Sequence, residues 1–83
     1  MDTRTAVQRR IFELCKENRI TVNKLARLSG ISPSTLKNIV YGRSKNPGIV
    51  TIKYLCDGLG ISLIEFFNSD LFLFLEKEIL EEK

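Results

Sequence analysis

Residues 21–42, TVNKLARLSGISPSTLKNIVYG, contain two helix starts and two helix stops in close succession. Thr21 can accept a backbone N–H bond at a cap, which opens a helix over residues 22–29. Val22, Leu25, Ala26 and Leu28 form its apolar side, and Gly30 supplies the left-handed residue that ends it. One residue, Ile31, separates that stop from Ser32-Pro33, a strong start signal because Ser caps and Pro tolerates the first helical position. A second helix is therefore predicted over residues 33–41, ending at Gly42. At about 100° per residue, Leu36, Ile39 and Val40 fall on one side of it. Ser34, Lys37, Asn38 and Tyr41 fall opposite, presenting hydroxyl, ammonium, amide and phenol groups that can hydrogen-bond base edges or phosphates.

The same stop-and-start logic extends in both directions. Upstream, Val7, Ile11, Leu14 and Cys15 recur at helical spacing and predict a helix over residues 3–18, flanked by Phe12. Downstream, GRSKNPG (residues 42–48) reads as a loop from its Gly, Asn and Pro content. A helix over residues 49–59 follows, with Ile52, Leu55, Cys56 and Leu59 on one face, Gly60 as terminator and Gly58 as a weak point in its interior. Ser62 and Glu65 have capping-box spacing and open a short helix through Phe67. Ser69 or Asp70 can cap a last helix over residues 71–82. No segment alternates like a strand and no repeat is present. The expected fold is all-α: a bundle of five short helices with an additional C-terminal helix.

Eighty-three residues support one core. Within the chain, residues 1–68 are expected to form the helix-turn-helix unit, and residues 69–83 to close the core and support self-association. The net charge of +3 conceals a segregation. Residues 18–56 carry Arg19, Lys24, Arg27, Lys37, Arg43, Lys45 and Lys53 without a single acid, whereas residues 57–83 hold seven acids and two bases. An acid-free cationic stretch around a polar helix face suits a polyanion, because each neutralised phosphate releases condensed counterions.

Several function classes are disfavoured. The chain has no histidine, and its two cysteines, Cys15 and Cys56, stand among apolar residues, so neither a Cys/His metal site nor a thiol-imidazole pair is expected. No phosphate-cradling glycine motif or carboxylate pair suggests catalysis, and no enzymatic activity, cofactor or small-molecule ligand is expected. The N-terminal MDTRTAVQRR lacks a signal-peptide apolar stretch, and no apolar run approaches a membrane span, so the expected location is cytoplasmic.

Residues 21–42 resemble the helix-turn-helix of the lambda-repressor and Cro type, the xenobiotic-response-element family. Leu25 and Ala26 match its packing pair in the first helix of the motif, Gly30 its turn glycine, Ile31 its buried turn residue and Ser32 its recognition-helix cap. Leu36 and Ile39 match its core positions. Agreement continues through Gly42, Pro47, Leu55, Leu59, Gly60, Ile61 and Ser62, spanning roughly residues 7–67. The resemblance implies a lambda-repressor-like fold and sequence-specific binding of double-stranded DNA by a small transcriptional regulator, a repressor, with helix 33–41 in the major groove. It also implies DNA-facing positions at Val22, Ser32, Pro33, Ser34, Thr35, Lys37 and Asn38, with Arg43 and Lys45 near phosphates.

Departures from the family pattern refine that expectation. Val22 stands where glutamine is common and can offer DNA only its backbone N–H, and Pro33 offers at most an apolar contact to a thymine methyl. Base readout then leans on Ser34, Lys37 and Asn38. Cys15 and Val40 replace an arginine and glutamate that often form a buried ion pair, and the joint loss predicts that they touch. Dimeric binding is expected, since such modules commonly bind two half-sites about one helical turn apart. The apolar residues Phe66, Phe67, Leu71–Leu75, Ile79 and Leu80 exceed what one short helix face can bury, and Leu73 and Leu80 are the expected dimer contacts; closure of the monomer core is the alternative. An acidic polar face argues against a membrane anchor. The alternative function is a protein-interaction module, an antitoxin or anti-repressor subunit, on the same fold.

Overall fold

The computed structural model describes residues 1–42, 44 and 46–80. Five α-helices follow one another: α1 (Thr3–Glu17), α2 (Val22–Ser29), α3 (Pro33–Val40), α4 (Ile49–Leu59) and α5 (Leu63–Phe67), then a 3-10 turn at Asp70–Phe72. No strand occurs among the described residues. The local chemistry that predicted the starts is in place. Thr21 accepts from Lys24 N, Ser32 from Thr35 N, and Ser62 and Glu65 form a reciprocal capping box. Asp2, which the sequence reading did not single out, caps α1 by accepting from Thr5 N at 2.8 Å. Gly30 and Gly60 end α2 and α4 in the left-handed conformation, with φ of 73° and 71°.

The helices enclose one core. Val7, Ile11, Leu14 and Cys15 of α1 meet Leu25 and Ala26 of α2, Leu36, Ile39 and Val40 of α3, Ile52, Leu55 and Cys56 of α4, and Phe66 of α5. Cys15 and Val40 are thus buried in the same core, where neither could carry a charge without a partner. Burial pushes both cysteine thiols up from their ordinary pKa, which keeps them protonated.

Gly58, expected to weaken α4, has a packing reason to be there. A Cβ at this position would lie 2.5 Å from Ser29 Oγ and 3.0 Å from both Leu28 C and Ser29 Cα, so α4 crosses the last turn of α2 at a distance only glycine allows. On the other side of the core, Arg10 is buried. Its Nε donates to Phe66 O at 2.6 Å, a carbonyl at the end of α5 with no backbone donor among the described residues, and its guanidinium NH2 donates to Glu65 O at 2.8 Å, which also accepts from Asn68 N. Glu13 pairs with Arg10 and also accepts from Ser69 Oγ.

The C-terminal segment differs from expectation. Ser69 does cap, accepting from Leu71 N, but only the 3-10 turn at Asp70–Phe72 follows, and residues 73–80 are not helical. The rest of the expected 71–82 helix, Glu81 and Glu82, lies outside the described residues. The physical reason is the distribution of apolar groups. Leu71, Phe72, Leu73, Phe74 and Leu75 would point all round a helix instead of forming a stripe, and an isolated helix of this length is marginal in water. Phe72 instead packs edge-on against Phe67, with ring centroids 5.0 Å apart. Farther on, Glu76 N donates to Met1 O, and Glu78 accepts from the N and Oγ1 of Thr3. Of this segment Phe72 packs against the core, Leu71 is half-buried, and Leu73 and Leu80 are exposed.

Candidate nucleic-acid interface

α3 is eight residues long, and a helix of two turns does not persist alone in water. Three devices hold it. Leu36, Ile39 and Val40 are buried, Ser32 caps its start, and Gln8 Nε2 of α1 donates to Ile39 O at 3.0 Å near its end. Past the end the chain turns through Gly42, whose φ of 83° suits glycine, and Ser44 N donates to Asn38 O at 2.8 Å. Ile39 O and Asn38 O, two of the last carbonyls of α3, are thus satisfied by groups from outside the helix.

The face opposite the buried side is open. Ser34, Lys37, Asn38 and Tyr41 are exposed, as the helical wheel required, and so are Ser32, Pro33 and Thr35, which the family resemblance added. They are not equally free. Ser32 Oγ accepts from Thr35 N and lies 2.8 Å from Thr35 Oγ1, so these two hydroxyls also serve the cap. The Tyr41 ring lies 6.0 Å from that of Phe12, tilted by 54°, which steadies the phenol beside the C-terminal end of α3. Val22 is half-buried and packs against the core, so its side chain is turned inward. Its N–H and that of Asn23, at the start of α2, carry no hydrogen bond among the described residues. Arg43 and Lys45 lie outside the described residues.

One feature beside α3 was not anticipated. Thr35, Asn38 and Ile39 form one wall of an open groove of about 590 Å³, and Ser44, Asn46, Pro47, Gly48 and Thr51 complete it. Gly48, which lines the groove, precedes α4 without a side chain to cap it, so the start of α4 has no side-chain cap bond among the described residues. A helix start with uncapped donors favours anions. In sequence Ser44, Asn46, Pro47 and Gly48 read only as loop, because their grouping with Thr35 and Asn38 depends on tertiary packing.

No group of His, Cys, Asp and Glu able to hold a metal occurs among the described residues. Nor is any described helix long and apolar enough to cross a membrane.

The comparisons agree with this geometry. Residues 10–69, from the middle of α1 to beyond α5, match the family described as Cro/C1-type HTH DNA-binding domain. No curated protein matches the chain. Among solved structures, the crystal structure of prophage Lp1 protein 11 is similar, with 38% sequence identity and a TM-score of 0.75 over 84% of this chain and 93% of that one. The chain belongs to the Cro/C1-type helix-turn-helix family of DNA-binding domains, and DNA is its partner.

Proposed function

We propose that this protein is a sequence-specific transcriptional regulator, a cytoplasmic repressor without enzymatic activity, that binds double-stranded DNA as a homodimer with α3 in the major groove. The observation that carries the reading is the exposed polar face of α3, whose end is held by Gln8 and Ser44 and which lies within a stretch of chain without acids. Ser34, Lys37 and Asn38 read base edges, and Pro33 adds an apolar contact. Ser32, Thr35, Tyr41, the backbone N–H of Val22, Arg43 and Lys45 meet phosphates. Residues 1–68 bind DNA, and residues 69–83 serve self-association through Leu73 and Leu80.

Selection from a random duplex pool would yield the operator. Affinity for it should then fall steeply with salt, by about −0.9 in log K per log unit of salt for each phosphate contacted. A slope near zero, with no enriched sequence, would favour the protein-interaction reading, an antitoxin or anti-repressor subunit. The exposed apolar C-terminal segment is the feature that reading would use.

A further inference from the structure

The C-terminal segment is fastened to its own body by polar atoms. Glu76 N bonds to Met1 O, and the Glu78 carboxylate takes both donors of Thr3. These contacts leave Leu73, Phe74, Ile79 and Leu80 at 66%, 87%, 71% and 93% exposure. A second apolar feature lies on α5, where Leu63, Ile64, Phe67 and Asn68 line a shallow groove of about 460 Å³ and Ile64 is 83% exposed. Phe67 joins the two features, since it lines the groove and stacks edge-on with Phe72, the residue from which the exposed segment departs.

We infer that a second copy of this chain covers both features by reciprocal exchange: Ile79 and Leu80 of each copy seat in the α5 groove of the other. The inference rests on the homodimer proposed above and replaces an unspecified tail contact with a defined donor and acceptor. Reach permits it. Glu78 and Phe67 line one common pocket, so Ile79 and Leu80 leave the body close to the α5 groove with the Glu76 and Glu78 contacts kept. Area permits it as well. At their observed exposures the five side chains offer roughly 500 Å² per chain and about 1,000 Å² for a pair, the lower bound for a specific interface.

Symmetry then selects the arrangement. A groove and a tail are different surfaces, so one-way insertion would string copies into an open chain, whereas mutual insertion about a two-fold axis closes at two. Two copies joined in this way carry two α3 helices, the number that a site of two half-sites requires.

The test is charge exchange at Ile64 and Leu80, whose exposure makes substitution compatible with folding, checked by circular dichroism. Sedimentation without DNA should show a wild-type dimer, and Ile64→Lys and Leu80→Glu should each weaken association by on the order of thirtyfold. Mixing the two variants should restore association. The heterodimer keeps one native tail-groove pair and sets the introduced ammonium against the introduced carboxylate in the other. A monomeric wild type, folded variants that still dimerise, or a mixture that stays monomeric would each overturn the inference, the second pointing to another self-contact and the third to separate roles for the tail and groove. Failure of the DNA reading would show independently, as salt-insensitive duplex binding by the wild type.

Discussion

Replacing Gly58 with alanine sets two physical effects against each other. In a helix interior the substitution gains roughly 0.5–1 kcal/mol, because alanine loses less backbone entropy than glycine. The new Cβ would stand 2.5 Å from Ser29 Oγ and 3.0 Å from Leu28 C and Ser29 Cα, where ordinary contact begins at 3.4 Å. Ser29 Oγ is buried without a hydrogen-bond partner among the described residues, so the hydroxyl gives up no bond there by rotating away. The backbone atoms have no such escape. They form the last turn of α2, and relieving them means moving α2 and α4 apart by a few tenths of an ångström. Overpacking of this kind costs about 1–3 kcal/mol, which set against the propensity gain leaves a net loss of up to about 2.5 kcal/mol.

Denaturant unfolding followed by circular dichroism would read this as a lower midpoint with an unchanged slope. In a domain of this size the melting temperature should fall by about 4–8 °C per kcal/mol. Adding Ser29→Ala should recover only the part of the loss due to the hydroxyl. A Gly58→Ala protein more stable than wild type would refute the reasoning, and would mean that α2 and α4 are not locked at this crossing.

Three further outcomes are expected. Arg10→Met should cost about 1–3 kcal/mol in unfolding experiments, because the Phe66 carbonyl loses its donor, while Glu65 O keeps Asn68 N and Glu13 still reaches water, which limit the penalty. Asn38→Ala should flatten the preference at one operator position, since an amide that pairs with adenine N6 and N7 discriminates by about 1–3 kcal/mol; an unchanged preference at every position in a binding assay on single-base variants would remove Asn38 as a reader. Hydrogen bonds from the Thr5 side chain and backbone hold Asp2 below its ordinary pKa. Its contribution to stability is therefore present above the unfolded carboxylate value and lost as pH falls through the folded one, so Asp2→Asn should reduce the acid dependence of unfolding in that window.

What could be read from the sequence was what depends on near neighbours. Thr21, Ser32 and Ser62 each accept the N–H three residues on, and Gly30 and Gly60 end their helices, because caps and stops are settled within one turn of chain. The same local reading failed where a partner is distant. Arg10 was not singled out, because its acceptors are backbone carbonyls 55 and 56 residues away that leave no mark in the sequence. Gly58 was read as a defect of α4 because the close approach of α2 is invisible along the chain. In the C-terminal segment two local signals conflicted. Ser69 announces a helix start, but the unbroken apolar run at 71–75 has no helical stripe, and in the structure the missing stripe prevails after one turn.

The constraints on α3 narrow how the proposed readout can work. Ser32 and Thr35 hold one another and the cap, so in the proposed complex they fix where the helix begins on the phosphate backbone more than they discriminate bases. Ser34, Lys37 and Asn38 have no such internal duty among the described hydrogen bonds of their side chains, and all three are exposed. Asn38 is the most tightly placed of the three. Its carbonyl is held by Ser44 N, and the next carbonyl, that of Ile39, is held by Gln8 of α1. An amide on a backbone fixed from two sides pays little ordering cost on binding, and preorganisation of that kind is where affinity is gained. Gln8→Ala, which removes the α1 hold while touching no DNA in the proposed mode, should therefore weaken operator binding more than non-specific duplex binding. Equal weakening of both would place sequence discrimination elsewhere than the end of α3.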